Sequence, residues 1–103
     1  MGASRMFVIV WEFRVRADAV GDFQRAYGRD GDWDSLFRKG DGFVGTELLH
    51  DADDGTRFLT IDRWTSQEAY KEFREAFEVE YAAIDARYED MTISETRIGE
   101  FEI

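Results

Sequence analysis

Residues 42–77 constrain the fold more than any other part of this chain. Residues 43–50 and 56–64 are rich in apolar and β-branched side chains, and the acidic segment between them, residues 51–55, ends in Gly55. This pattern predicts two strands joined by a hairpin, with Gly55 at a position of positive φ. The chain is therefore limited to folds that contain antiparallel sheet.

A helix is predicted to follow the second of these strands directly. Thr65, Ser66, Gln67 and Glu68 form a predicted capping box at residues 65–68. Apolar residues then recur at three- and four-residue spacing: Tyr70, Phe73, Phe77, Tyr81, Ile84 and Tyr88. This stripe predicts one long amphipathic helix, or two helices joined by a bend near residues 77–81.

The N-terminal half predicts one strand and two short helices. Residues 7–16 begin as a continuous apolar run and then alternate, which indicates a strand. Asp18 is expected to cap the first helix, and Gly28 to end it in the left-handed conformation. Residues 33–37 give the second helix, and residues 91–103 are predicted to be β again.

The predicted order β-α-α-β-β-α-β is the ferredoxin-like arrangement, an α+β fold with helices on one face of a four-stranded antiparallel sheet. Its 103 residues predict a single domain over residues 1–103. Phe7 and Ile9 alternate with Val8 and Val10, so both faces of the first strand need cover. A second copy of the sheet would supply it, and we therefore predict a homodimer.

Composition excludes several classes of function. The net charge of −10 argues against nucleic acid and anionic membrane surfaces as partners. There is no Cys, and no metal-ligand spacing or phosphate-binding glycine loop is present, so no metal site is expected. No apolar run approaches the ~18 residues of a membrane span, and the run after Arg5 ends at Trp11. We expect a cytoplasmic protein.

Residues 7–15, 42–49 and 57–73 resemble the antibiotic biosynthesis monooxygenase domain of the dimeric α+β barrel superfamily, and the resemblance extends over nearly the whole chain. Its recurrent element is carried by Trp64, Thr65, Ser66, Glu68, Ala69 and Tyr70. The superfamily includes cofactor-free oxygenases of aromatic polyketides, haem-degrading enzymes and members without an assigned reaction. The resemblance implies a homodimer that oxygenates a small aromatic or quinol-like molecule without a cofactor. A haem-binding or haem-degrading relative and a non-enzymatic ligand-binding domain are the alternatives.

The resemblance also implies site residues. Cofactor-free oxygenases of the family place a Trp and a Tyr in the pocket at the spacing of Trp64 and Tyr70, and the Tyr hydroxyl can stabilise developing negative charge. Alternatively, Trp64 closes the strand end and Tyr70 packs beneath it. Thr60 stands where those enzymes carry Asn. Trp33 and Phe37 are expected to converge with Trp64 and Tyr70 on one apolar cavity. The remaining candidates for substrate binding are Trp11, Phe58 and Phe73.

Acids on predicted strands are candidate general bases. Asp62, Glu47 and Glu12 all lie on strands, and Asp62 is selected as the third catalytic candidate. A buried acid either pairs with a cation or has a raised pKa. The candidate cations are Arg14, Arg57 and Arg63. Outward-facing or structurally paired acids are the alternative.

His50 is the only histidine in the chain and would be the natural general base or haem ligand. It lies at the mouth of the acidic hairpin, where a solvated histidine is expected, so no tight haem binding is predicted. Asp51, Asp53 and Asp54 look like the start of an EF-hand loop. The twelfth position would fall on Asp62 within the next strand, so a simple turn is predicted instead.

Overall fold

The computed structural model describes residues 6–103. These residues form four strands and four α-helices, with 3₁₀ turns at Ala17–Ala19 and Glu89–Met91. In chain order the elements are β1 (Phe7–Val15), α1 (Val20–Tyr27), α2 (Asp32–Phe37), β2 (Phe43–His50), β3 (Arg57–Trp64), α3 (Gln67–Ala76), α4 (Glu78–Tyr88) and β4 (Thr92–Glu102). No helix in this part of the chain is long and apolar enough to cross a membrane.

The strands form one antiparallel sheet in the order β2-β3-β1-β4. This is the predicted α+β arrangement. β1 and β3 pair so that Phe7 lies opposite Trp64, Ile9 opposite Asp62 and Trp11 opposite Thr60. Because side chains alternate between the faces of a strand, all of these residues share one face.

The helices pack on that face, which we call the covered face. Its side chains form the core with those of the helices, and Phe13, Phe58 and Trp64 are at most 4% exposed. The core is built largely from aromatic rings at contact distance, such as Phe23 and Tyr27, whose centroids lie 4.2 Å apart. Most of the unusually high aromatic content is thus used inside the chain.

The opposite, or open, face carries Val8, Val10, Leu59 and Ile61, with Phe101 of β4 next to Val8. Phe101 is 50% exposed. Ion pairs border this apolar surface, Glu12 with Arg57 and Glu47 with Arg63. The two acids therefore have the arginine partners that the sequence suggested.

Two local expectations were wrong. The helix after Trp64 is capped by Ser66, whose hydroxyl accepts from the amide of Ala69 (3.0 Å), rather than by Thr65 and Glu68. Asp18 makes no cap and instead pairs with Arg16. A register shift in β2 places Phe43 on the covered face, whereas Glu47 lies on the opposite face.

The left-handed residue of the first half is Asp30, with φ 64°. Gly28 has φ −87°, and Gly55 also lies outside the left-handed region, contrary to expectation. The buried carboxylate of Asp34 accepts from the amide of Asp30 (2.9 Å), and Arg38 pairs with both acids. A side-chain hydrogen bond therefore holds the strained turn where a glycine was predicted.

The long aromatic stripe is divided into two helices, α3 and α4, as one of the two alternatives predicted. Phe77 lies between them with φ −118° and ψ 30°, and its amide still donates to the carbonyl of Phe73 (2.9 Å). The break redirects the chain so that α4 crosses α2, where Tyr81 meets Trp33 edge to face. This contact helps to form the cavity described next.

Candidate functional site

A cavity of about 120 Å³ lies between the covered face and the helices. The sheet contributes Trp11, Phe13, Thr46, Thr60, Asp62 and Glu95 to its lining. The helices contribute Tyr27, Trp33, Phe37, Tyr81 and Asp85. Aromatic walls with a few polar groups are typical of a small-molecule site.

Asp62 is the buried acid of this cavity. It is 7% exposed, and the Thr46 hydroxyl on the neighbouring strand donates a hydrogen bond to its Oδ1. No other hydrogen bond and no ion pair reaches this carboxylate from the described residues. Burial raises the pKa of Asp62 from 3.8 to about 6, although the bond from Thr46 opposes the shift.

The arginines proposed as partners of Asp62 are engaged elsewhere. Arg57 pairs with Glu12 (2.5 Å) and Asp51 (3.0 Å), on the open face and at the hairpin. Arg63 pairs with Glu47, and Arg14 with Asp54. Because β3 alternates its side chains between the faces, neither Arg57 nor Arg63 can reach the face that carries Asp62.

Trp33 is the centre of the aromatic wall. Its ring centroid lies 4.8 Å from that of Tyr81, 5.7 Å from that of Phe37 and 5.9 Å from that of Tyr27. Burial raises the pKa of both tyrosines well above its usual value. Their hydroxyls therefore remain protonated at neutral pH and can act as hydrogen-bond donors.

Two further acids lie at the cavity edge. Asp85 of α4 and Glu95 of β4 are both exposed, unlike Asp62. Partial burial raises the pKa of Glu95, the Thr92 hydroxyl (3.1 Å) opposes this, and the charge of Asp85 adds to it. Both residues belong to the lining, so the two carboxylates share this edge.

A family profile described as "Antibiotic biosynthesis monooxygenase" matches residues 6–83. The chain belongs to this family. No sequence among the curated proteins matches it significantly.

Solved structures agree with this family fold. A mutant of SnoaB, a cofactor-independent oxygenase from Streptomyces nogalater, superposes with a TM-score of 0.72 at 23% identity, over 96% of this chain and 92% of that chain. A second SnoaB structure gives 0.70 at 22% identity, over 94% and 91%. A protein of unknown function from Bacteroides thetaiotaomicron gives 0.77 at 13% identity, over 98% and 100%. At these identities the matches establish the fold alone.

The family's recurrent Trp and Tyr do not line the cavity. Trp64 is fully buried, and its ring packs against Phe37, Phe43, Tyr70 and Phe73. The predicted convergence of Trp64 and Tyr70 with Trp33 and Phe37 on one cavity is therefore wrong, and only the latter two reach it. The catalytic roles of Trp64 and Tyr70 remain predictions without direct contact with this site.

The reason is the position of Trp64 along the sheet. Trp64 pairs with Phe7 at the start of β1. The cavity begins at the next pair on the covered face, Ile9 with Asp62. Since α3 starts directly after β3, Tyr70 is held over the same end of the sheet. Its hydroxyl accepts from Arg74 (3.2 Å).

The remaining candidates for substrate binding divide in the same way. Trp11 lines the cavity, whereas Phe58 and Phe73 are core residues outside its lining. Thr60, at the position where the resembling enzymes carry Asn, does line it. The fold thus brings Asp62, Trp11, Trp33 and Phe37 together from the predicted set.

Sequence reasoning missed several lining residues. Tyr81 had been assigned to the core stripe, and Asp85 follows it by one helical turn on the same side of α4. An acid on an apolar stripe was the available signal. Glu95 gave none, because β4 mixes charged residues with Ile93, Ile98 and Phe101 in a pattern that does not mark one face.

Neither a metal nor haem fits these residues. Within residues 6–103, no group of three His, Cys, Asp or Glu side chains could hold a metal ion. His50 lies outside the cavity lining, where its Nε2 is 2.9 Å from the carbonyl oxygen of Gly55 and its ring stacks on Phe58. The cavity is also well below the ~300 Å³ lower bound for sites that bind drug-sized ligands.

Proposed function

We propose that this member of the family is a cofactor-independent oxygenase of a one-ring hydroxyarene, with Asp62 as its general base. The observation that carries the proposal is a buried carboxylate inside an aromatic cavity, with a pKa of about 6 and no cation partner among residues 6–103. A cavity of about 150 Å³ lined by apolar residues binds benzene. The volume of about 120 Å³ therefore suits one ring.

The neutral hydroxyarene binds first. Its ring packs against Trp33 and Phe37, and its hydroxyl donates a hydrogen bond to Asp62. Asp62 takes the hydroxyl proton, which transfers negative charge from the carboxylate to the ring oxygen and leaves the total charge of the cavity unchanged. The protonated hydroxyls of Tyr27 and Tyr81 are available to stabilise this oxyanion. Exclusion of water strengthens these interactions.

The phenolate then supplies all the electrons. Oxygen adds at a ring carbon ortho or para to the oxyanion, one oxygen atom is retained as a carbonyl and the other leaves as water. The sum is one hydroxyarene plus O₂ to one quinone plus H₂O, a four-electron oxidation of the ring that reduces one O₂. Because the substrate is the reductant, the protein has only to bind, deprotonate and position it.

The test is oxygen consumption by chelator-treated protein, with hydroquinone and simple alkylphenols and no added flavin, haem or nicotinamide. Asp62→Asn keeps the shape and should lower turnover about 100-fold, because a general base contributes 10²–10⁴. Asp18→Asn, an exposed acid outside the cavity, is the matched control. Equal rates for wild type and Asp62→Asn would defeat the proposal.

A second candidate is a ligand-binding domain without turnover. Trp64 and Tyr70 do not belong to the cavity lining, so the family's recurrent pair would not touch a bound ligand. This separation favours the ligand-binding candidate. Saturable binding of hydroxyarenes by calorimetry, without oxygen consumption at any pH between about 6 and 9, would select this candidate.

We also propose that two copies associate through the open face. Val10, Leu59 and Ile61 are partly exposed there, beside the buried Val8 and the half-exposed ring of Phe101. Helices do not cover this surface, and apolar patches of this kind mark protein interfaces. A second copy presents the same patch, as a two-fold symmetric interface requires.

A further inference from the structure

The charge of the cavity is one-sided. Asp62, Asp85 and Glu95 contribute carboxylates to its lining, and none of the lining residues is Lys or Arg. Asp62 is buried, whereas Asp85 and Glu95 are exposed. The acids therefore mark two ends of the site: a closed end at Asp62 and a mouth at Asp85 and Glu95.

The strand register gives the separation of the two ends. Asp62 on β3 lies opposite Ile9 of β1, whereas Glu95 on β4 lies opposite Phe13, four residues further along. With ~3.4 Å per residue along the strand and ~4.8 Å for each of the two strand spacings, the two Cα atoms are roughly 17 Å apart. Both side chains line the cavity, so the space between them is the space open to a ligand.

Cations outside the lining balance only part of this charge. Arg97 of β4 lies opposite Trp11, on the covered face, and pairs with Glu100 (2.8 Å). The Arg74 guanidinium lies 3.8 Å from the centroid of the Tyr81 ring, outside the cavity lining. Burial tends to lower the pKa of Arg74, but the Tyr70 hydroxyl and neighbouring charges, including Asp85, raise it overall. Glu95 receives a hydrogen bond from Thr92 and forms no ion pair with any described residue.

We propose that the substrate is a hydroxyarene with a protonated nitrogen on a short chain. Its ring hydroxyl meets Asp62, and its ammonium group lies at the mouth beside Asp85 and Glu95. The inference rests on the proposed function, because that function assigns the ring hydroxyl to Asp62. The walls suit both parts, because aromatic faces pack against a ring and attract a cation. The chain's net charge of −10 also attracts cations and repels anions.

Three para-substituted phenols of similar shape and different charge test this: tyramine, 4-propylphenol and 3-(4-hydroxyphenyl)propanoate. Their affinities are measured by calorimetry without oxygen, so that turnover does not interfere. Tyramine should bind at least about tenfold more tightly than 4-propylphenol, and the propanoate most weakly. The advantage of tyramine should shrink as salt screens the exposed acids. Equal affinities for tyramine and 4-propylphenol, or no tyramine binding, would overturn the inference.

The mouth acids should account for the preference. In the double variant Asp85→Asn with Glu95→Gln, tyramine should lose its advantage over 4-propylphenol. Asp90→Asn, an exposed acid outside the lining, is the control and should keep the full preference. Both mouth acids are exposed, so these changes leave the core intact. A preference that survives in the double variant would overturn the assignment.

The two proposals fail in different ways. Selective tyramine binding without oxygen consumption would defeat the oxygenase and leave the ligand class in place. Oxygen consumption with 4-propylphenol and no preference for tyramine would defeat the ligand class and leave the oxygenase.

Discussion

Thr46 donates its hydroxyl hydrogen bond across the sheet to Asp62, directly opposite it in the register of β2 and β3. This is the only hydrogen bond that the carboxylate receives from the described residues. One neutral donor cannot replace the hydration of a buried charge. The protein therefore keeps an acid whose ionised form is destabilised, in a position where it faces a cavity.

Asp62→Asn should stabilise the fold above neutral pH. Because the pKa of Asp62 is about 6 when folded and 3.8 in its ordinary state, folding takes up a proton between these values, and stability falls as pH rises through this window. Removal of the charge should raise the free energy of unfolding by about 3 kcal/mol at pH 8 and by about half as much at pH 5. Urea unfolding at both pH values measures this. A loss of stability at pH 8 would contradict it.

Thr46→Val should shift the pH dependence of activity upward. The Thr46 hydroxyl favours the ionised form of Asp62, so its loss should raise the pKa of this base further. Wild-type kcat/KM should rise with pH through about 6, since the base must be ionised. In the variant the same rise should occur at higher pH. Thr56→Val, at the hairpin, is the control, and an unmoved profile in Thr46→Val would count against Asp62 as the base.

Gly42→Ala should destabilise the fold by about 1–3 kcal/mol, because overpacking forces neighbouring atoms apart. A Cβ at Gly42 would lie 2.3 Å from the Cβ of Ala69 in α3. Gly55→Ala is the matched control, since nothing lies within 4 Å of its added Cβ and its φ is not left-handed. Urea unfolding of both variants should separate them. Equal stabilities would show that the loop before β2 can move away from α3.

Light scattering should give about twice the chain mass of 12.0 kDa at micromolar concentration. Ile61→Lys places a charge in the open face and should yield the monomer. Val79→Lys, on the solvent side of α4 with 79% exposure, should leave the mass unchanged. A wild-type mass near 12 kDa would contradict the dimer.

Sequence patterns predicted the elements well because each had local causes. The spacing of apolar residues predicted β3, α3 and α4, and the acidic segment between two such runs predicted the hairpin of β2 and β3. The details that were wrong depend on single atoms. Asp30 takes the left-handed conformation because Asp34 binds its amide, a contact that spacing alone does not reveal.

The site was predicted only in part because it depends on rows across the sheet. Asp62 and Trp64 are two residues apart and share a face, so their spacing could not show that only Asp62 lines a cavity. In the fold, α2 inserts Phe37 against Trp64 and places Trp33 over the row of Trp11 and Thr60. The row that a helix covers depends on how the helix packs on the sheet. That packing is set by contacts between residues far apart in the chain, and local sequence patterns do not reveal it.

The three tryptophans occupy unequal positions, and this gives the protein two optical reporters. Trp11 and Trp33 line the cavity, so a ligand that contacts them will quench or shift their emission. Trp64 is sealed in the core and responds to loss of packing instead. Single-tryptophan variants that retain Trp33 or Trp64 would therefore separate occupancy of the site from unfolding, without any attached dye.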